Sequence, residues 1–261
     1  MHSDPYIYFL AALLGLAIGS FLNVLIYRLP REQKVVLERS CCPNCRKRIA
    51  FYDNIPVISY LVLLGKCRIC NAPISARYPM VEILNAALYV FFIFLDGLTL
   101  QLALHWFLAS ALLVIFFIDL EFQIIPDKIT FPGMVIGLIG AFFVETPGIV
   151  NALIGFVVGG GALLAVAYLG EWLFKKEAMG GGDIKMAAMM GAFVGWQKVL
   201  LIFMGGAVIG MIVSLIWMGM SEKVRKERLI PFGPFLAVAA LIIVVYGDSL
   251  LSFYINNFLR V

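Results

Sequence analysis

Asp119 ends the apolar run FFID, with Glu121 and Asp127 following it in LEFQIIPD. Asp183 stands behind three glycines in MGGGDIK. Two carboxylates brought to one site cannot both ionise easily, so one keeps a proton as an acid while the other serves as a base. Such a pair can activate a water and protonate a leaving amine, which is the chemistry of peptide-bond hydrolysis. Other reactive groups are sparse. His2 lies in the terminal tail and His105 near a helix end, Ser20 in GSFLN lacks the flanking glycines and histidine of a nucleophile elbow, and no HExxH occurs. Asp119 and Asp183 are therefore the candidate catalytic residues. A lone aspartate at a helix end also reads as a cap, and that alternative holds for Asp127 after Pro126 and for Asp183. Lys185 reads as the partner of a neighbouring carboxylate.

The elements that must carry these residues lie in a bilayer. The chain has 261 residues, of which 62% are hydrophobic and 14% charged; that balance excludes an ordinary soluble domain. The first run, 6 to 27, has no charge and is long enough to span, and its N-terminal flank lacks the Lys or Arg of a signal peptide. Further runs fall at 80 to 95, 100 to 118, 129 to 145, 150 to 174, 184 to 196, 199 to 220 and 232 to 247. The expected fold class is an all-α polytopic membrane protein of about eight transmembrane helices, since helices satisfy their own backbone in lipid. The run 184 to 196 is short and rich in Ala, Met and Gly.

Basic residues concentrate on the cytoplasmic side of membrane proteins. With the loop after the first helix placed inside, only Lys198 and Arg260 fall outside; Arg39, Lys176, Lys223, Arg225, Lys226, Arg228 and the other basic residues fall inside. Both termini then face away from the cytoplasm. Asp119 and Asp183 arrive at the same, cytoplasmic face. The net charge of +4 reports this topology and carries no nucleic-acid footprint.

Between the first two helices lies a polar segment holding all five cysteines, in CCPNC (41 to 45) and CRIC (67 to 70). Cys42, Cys45, Cys67 and Cys70 form paired CxxC knuckles with the spacing of a tetrahedral Cys₄ zinc site. Metal would give so small a segment its folding energy. A redox dithiol and a pair of disulfides are the rival readings, the latter disfavoured in a reducing compartment. Cys41 is left over as an unliganded neighbour or as the ligand of a shifted knuckle. The expected division is a first helix at 1–27, a cytoplasmic Cys₄ domain at 28–79 and a seven-helix membrane domain at 80–261.

The chain resembles the type IV prepilin peptidases, membrane aspartyl proteases with a GxGD motif. The resemblance rests on GSFLNVLIYRLP (19 to 30), CPNC (42 to 45), NIPVISY (54 to 60), GKCRIC (65 to 70), RYPMVE (77 to 82), IDLEFQIIPD (118 to 127), MGGGDIK (179 to 185) and PFGPFLA (231 to 237), in the family's order. It implies that Asp119 and Asp183 are the catalytic pair, that Asp127, Gly181, Gly182 and Lys185 support them, and that Cys42, Cys45, Cys67 and Cys70 are the zinc-type ligands. It also implies a prepilin or pseudopilin substrate, whose basic leader is cut after a glycine on the cytoplasmic side of the inner membrane. In many relatives the new N-terminus is then methylated with S-adenosylmethionine. Glu82, Glu121 and Asp53 are expected to attract the leader or to serve as surface or ion-pair residues. The segment between Pro30 and Cys42 is short compared with many relatives. The glycines of VVGGGA, 157 to 162, read as a surface for close helix packing. An ion relay through Asp119 and Asp183 in a transporter is the alternative from another class.

Overall fold

The computed structural model describes residues 4–35, 40–175, 179–220 and 231–259. His2, Arg39, Lys176, Lys223, Arg225, Lys226, Arg228 and Arg260, which enter the topology and site readings, lie outside the described residues. The described elements are helical: α1 (Pro5–Arg28), α2 (Ile58–Val62), α3 (Arg77–Asp96), α4 (Leu100–Phe122), α5 (Asp127–Gly140), α6 (Ile149–Phe174), α7 (Gly181–Val194), α8 (Trp196–Met220) and α9 (Gly233–Tyr254). Apart from the five-residue α2, each corresponds to one of the apolar runs. Six are long and apolar enough to cross a membrane. The exceptions are α5 and α7, at 14 residues each. At a rise of about 1.5 Å per residue such a helix is roughly 21 Å long, short of a hydrocarbon core of about 30 Å. The run from 129 to 145 therefore overstates its helix, which stops at Gly140.

Two compact units divide the chain, Met1–Val114 and Ile115–Val261, and the division falls inside α4. In the first unit α1 packs along α3. A Cβ on Gly15 would lie 2.6 Å from the Ala86 Cα, and one on Gly19 would lie 2.7 Å from the Glu82 Cα. Hydrophobicity gives no drive between helices in lipid, so association rests on such close packing and on polar contacts. The polar contacts are present too. The Asn85 amide donates to the Gly15 carbonyl at 2.8 Å and accepts from Ser110 Oγ at 3.0 Å, and Ser110 meets the Tyr89 hydroxyl at 3.1 Å. Trp106 stacks on Tyr89 with centroids 4.4 Å apart.

In the second unit α7 is the central helix, packed against α5, α6, α8 and α9. Every residue from Met186 to Val194 is buried. The close packing expected of the small residues is found where α6 meets α7. Gly155 touches the Gly191 and Gly195 backbone, Gly159 the Ala187 carbonyl, and Gly160 the Ala188 methyl. Gly161 faces open space. The outward faces of α6 and α8 are apolar, with Val157, Tyr168, Trp172, Met204, Met211 and Leu215 exposed. Surfaces of that kind belong in lipid, and the chain is a multi-pass membrane protein.

Candidate active site

Asp119 occupies the last turn of α4. The helix ends because Gln123 turns to φ 55° while its N–H closes on the Asp119 carbonyl at 2.9 Å, and Pro126 then prevents continuation. The Asp119 side chain is buried, 5% exposed. Its carboxylate accepts the backbone N–H of Gly233. That donor is available because Gly233 is the first residue of α9, where N–H groups have no partner inside the helix. A Cβ at Gly233 would stand 2.6 Å from Asp119 Oδ2 and 3.2 Å from Ile125 Cδ1. Only a residue without a side chain lets the start of α9 come this close to Asp119.

Asp183 lies in the first turn of α7, where the cap is Gly180 and not Asp183 itself. A carboxylate there is favoured by the positive end of the helix dipole. It is close enough to Asp119 to feel its charge. Its Oδ1 is buried and has no hydrogen-bond partner. The glycines before it do different work. A Cβ on Gly182 would meet Ile125 Cβ at 2.8 Å, whereas one on Gly181 would meet nothing within 4 Å. Gly182 thus admits the chain that follows Asp119, and Gly181 leaves an open side.

Lys185 donates to both oxygens of Asp127, at 2.7 and 2.8 Å. Asp127 is the first residue of α5, with Pro126 in the cap position. The pair joins the starts of α5 and α7, and among the described residues no lysine pairs with Asp119 or Asp183. Thr130 is fully buried on α5 with an unpartnered hydroxyl.

The cysteine module folds as one unit of structure used twice. In the first knuckle Cys42 N–H donates to the Lys47 carbonyl, and Arg46 N–H donates back to the Cys42 carbonyl at 2.8 Å with Arg46 at φ 56°. In the second, Cys67 N–H donates to Ala72, and Asn71 N–H donates to Cys67 at 2.9 Å with Asn71 at φ 55°. The flanking bridges Cys41–Arg48 and Lys66–Pro73 repeat as well. The four sulfurs of Cys42, Cys45, Cys67 and Cys70 lie within 4.8 Å of one another and can hold a metal ion. Cys42 and Cys70 Sγ are 3.8 Å apart, the edge of a tetrahedron with metal–sulfur bonds of about 2.3 Å. All five cysteines are free. Cys41 is exposed and outside the cluster. The Ala72 backbone N–H, with the Asn44 amide, lowers the Cys70 thiol to about 6 and favours its thiolate.

The acids expected near a leader have other engagements. Asp53 is held by Arg68 at 2.6 Å, which keeps its carboxyl below the usual range. Glu82 is buried and accepts the Val57 N–H at 2.8 Å. Glu121 is exposed. His105 bonds Asp96 Oδ2 at 2.7 Å and Gln101 at 2.9 Å.

A profile described as Bacterial Peptidase A24 N-terminal domain matches residues 13–95, and one described as Type IV leader peptidase family matches residues 106–215. A prepilin leader peptidase/N-methyltransferase of Aeromonas hydrophila is 36% identical over 293 residues, covering 99% of this chain and 97% of its own. One of Pseudomonas aeruginosa is 35% identical, covering 94% and 92%. One of Myxococcus xanthus is 42% identical, covering 77% of this chain and 62% of its own. The chain belongs to the type IV leader peptidase family. No solved structure matches it. For a leader peptidase, the transporter alternative finds no support in these similarities. Two contributors to the peptidase's candidate site carried no assigned role in the sequence reading, Gly233 and Ile125. The signal for Gly233 was its place between Pro231 and Pro234 in PFGP; Ile125 had none beyond lying between Asp119 and Asp127.

Proposed function

We propose that this chain is an aspartic endopeptidase that cuts the basic leader from type IV prepilins and pseudopilins, using Asp119 and Asp183 together. The observation that carries the reading is the meeting of two carboxylates from separate helix ends in a chain of this family. One is fixed by the Gly233 N–H and the other retains a buried, unpartnered oxygen. A water between them loses a proton to the ionised carboxylate as it attacks the scissile carbonyl. The protonated carboxylate then gives its proton to the leaving amine, so that the pair ends with one proton, as it began. Asp127 and Lys185 tie α5 to α7, and Gly181 and Gly182 give the backbone room, as supporting residues.

The basic-residue distribution supports a site at the cytoplasmic face, where a leader just outside a substrate's apolar helix is within reach, and the family reading supports the inner membrane as its location. Cys42, Cys45, Cys67 and Cys70 would hold zinc as a structural ion, which would contribute folding energy and no step of hydrolysis. The new N-terminus is then methylated, S-adenosylmethionine supplying the methyl group, in keeping with the relatives' names.

The test is incubation of the purified full chain with a prepilin peptide, with and without S-adenosylmethionine, followed by mass spectrometry. Asp119→Asn and Asp183→Asn are each expected to lower cleavage by at least about a thousandfold while the protein still inserts. Normal processing by either variant would remove the mechanism.

A further inference from the structure

We infer that α2 is an interfacial membrane anchor: its outward face enters the lipid leaflet at the end where α1 stops and α3 starts, and holds the cysteine module against it. The first ground is that α2 is inside out for water. Successive residues of a helix turn by about 100°, so Ile58, Leu61 and Val62 share one side while Ser59 and Tyr60 lie on the other. The aliphatic side is the open one, with Ile58 58%, Leu61 64% and Val62 69% exposed. Leu64, just beyond the helix, and Phe51, before it, are more exposed still. Ser59 is buried, and its hydroxyl takes the Ile55 N–H and donates to the Tyr52 carbonyl, both at 3.0 Å. Apolar surface gathered in this way marks a membrane or protein contact.

The second ground is depth. Val57, the residue before α2, gives its N–H to Glu82 Oε2 at 2.8 Å. Glu82 lies about 7.5 Å along α3 from Arg77, inside a helix long and apolar enough to span. Gly19 of α1 packs on the same residue, and lies roughly 13 Å before Arg28 ends that helix. α2 therefore begins beside the bodies of two spans, below their charged ends. Interfacial helices bury their apolar face about 5–10 Å into the headgroup and acyl boundary, and the Glu82 bond sets α2 at that level. The turn is also held there. Val57 has φ 60°, and the Ile58 N–H closes on the Pro56 carbonyl at 2.6 Å, a γ-turn that a β-branched residue keeps only under constraint. Glu82 supplies the constraint. The backbone suits lipid as well, since the N–H groups of Ser59, Leu61, Leu63 and Leu64 all reach carbonyls of the same segment.

A lipid leaflet suits this face better than a protein does. The module is tethered to the bilayer at both ends, by α1 and by α3, so its apolar side meets lipid without a separate association step. From 40 to 76 the chain carries five basic residues and one acidic residue, Asp53. That balance favours the anionic headgroups of a leaflet and disfavours a basic leader. Lys66, exposed and two residues beyond Leu64, has a stem long enough to keep its charge among the headgroups while the aliphatics go deeper.

The experiment uses the full-length, metal-loaded protein in nanodiscs of phosphatidylethanolamine and phosphatidylglycerol. Leu61 and, in a separate variant, the exposed Lys47 of the first knuckle are replaced by p-benzoylphenylalanine, and the products of irradiation are read by mass spectrometry. Position 61 is expected to give lipid adducts at a yield at least about tenfold above position 47. Adding Val62→Glu to the position 61 probe, with metal retained, is expected to cut the lipid adduct at least about fivefold, because a charge resists the acyl boundary. Crosslinks from position 61 to another segment of this chain or to a second protein, in place of lipid, would overturn the anchor. So would equal lipid yields at 61 and 47, or a yield that Val62→Glu leaves unchanged. If Val62→Glu loses its metal, the comparison of positions 61 and 47 decides alone.

Discussion

Asp119 and Gly233 are related by a single backbone N–H, and that contact makes a sharp prediction. A methyl group at position 233 cannot sit 2.6 Å from a carboxylate oxygen, so Asp119 must move. Displacement of a catalytic group by about 1 Å costs on the order of a hundredfold in rate. Gly233→Ala should therefore lower kcat by roughly that factor, with KM for the prepilin peptide little changed, as measured by steady-state cleavage. Equal losses in affinity and turnover would indicate a general packing defect. The two glycines before Asp183 should differ in stability. Gly182→Ala collides with Ile125 and is expected to lower Tm, whereas Gly181→Ala meets nothing and should leave Tm unchanged in a thermal shift measurement. Asp119, Asp183 and the four cysteines stand out as candidates in the sequence because carboxylates in an apolar chain and paired CxxC knuckles are rare. The donor to Asp119 does not, because a backbone N–H carries no letter of its own. Nor could spacing reveal that Asp127 and Lys185 would find each other.

Helices were legible where length and hydropathy coincide, and less so where burial replaces lipid. α7 is enclosed by four other helices, so no face of it needs to differ from another and its boundaries leave little periodic trace. Its Ala, Met and Gly content reflects close approach, as the contact of Gly155 with Gly191 makes plain. The same physics governs α1 against α3. Gly15→Leu would drive a side chain into the Ala86 backbone and is expected to destabilise the pair by about 1–3 kcal/mol, the usual range for overpacking. Thermal denaturation in detergent, followed by the Trp106 fluorescence beside Tyr89, would report it. An unchanged melting curve would mean that the two helices can separate and repack.

Across the whole molecule, the separation of functions follows the separation of parts. The candidate metal site lies in Met1–Val114 and both aspartates lie in Ile115–Val261. Removing metal with a strong chelator should unfold the cysteine module while prepilin cleavage continues. Metal analysis and the cleavage assay on one preparation check both. Orientation has its own test. A phosphatase reporter that works only outside the cytoplasm should be active when fused at the C-terminus or in 141–148, and silent at residue 179. The direction of insertion rests on Lys and Arg alone, since charge is sorted by the membrane and not by packing, and the reporter decides it.

α4 begins in one compact unit and ends in the other, so the physical boundary near Val114 is not a seam at which the gene can be cut. The turn before it, at Gly97 with φ 64°, is such a seam, and it falls between the two family profiles, which stop at 95 and resume at 106. Recombination between relatives should therefore yield working chimeras when the crossover lies at 97 to 99, carrying all of α4 with the downstream parent. Crossovers placed inside the helix would ask two lineages to agree on one continuous rod.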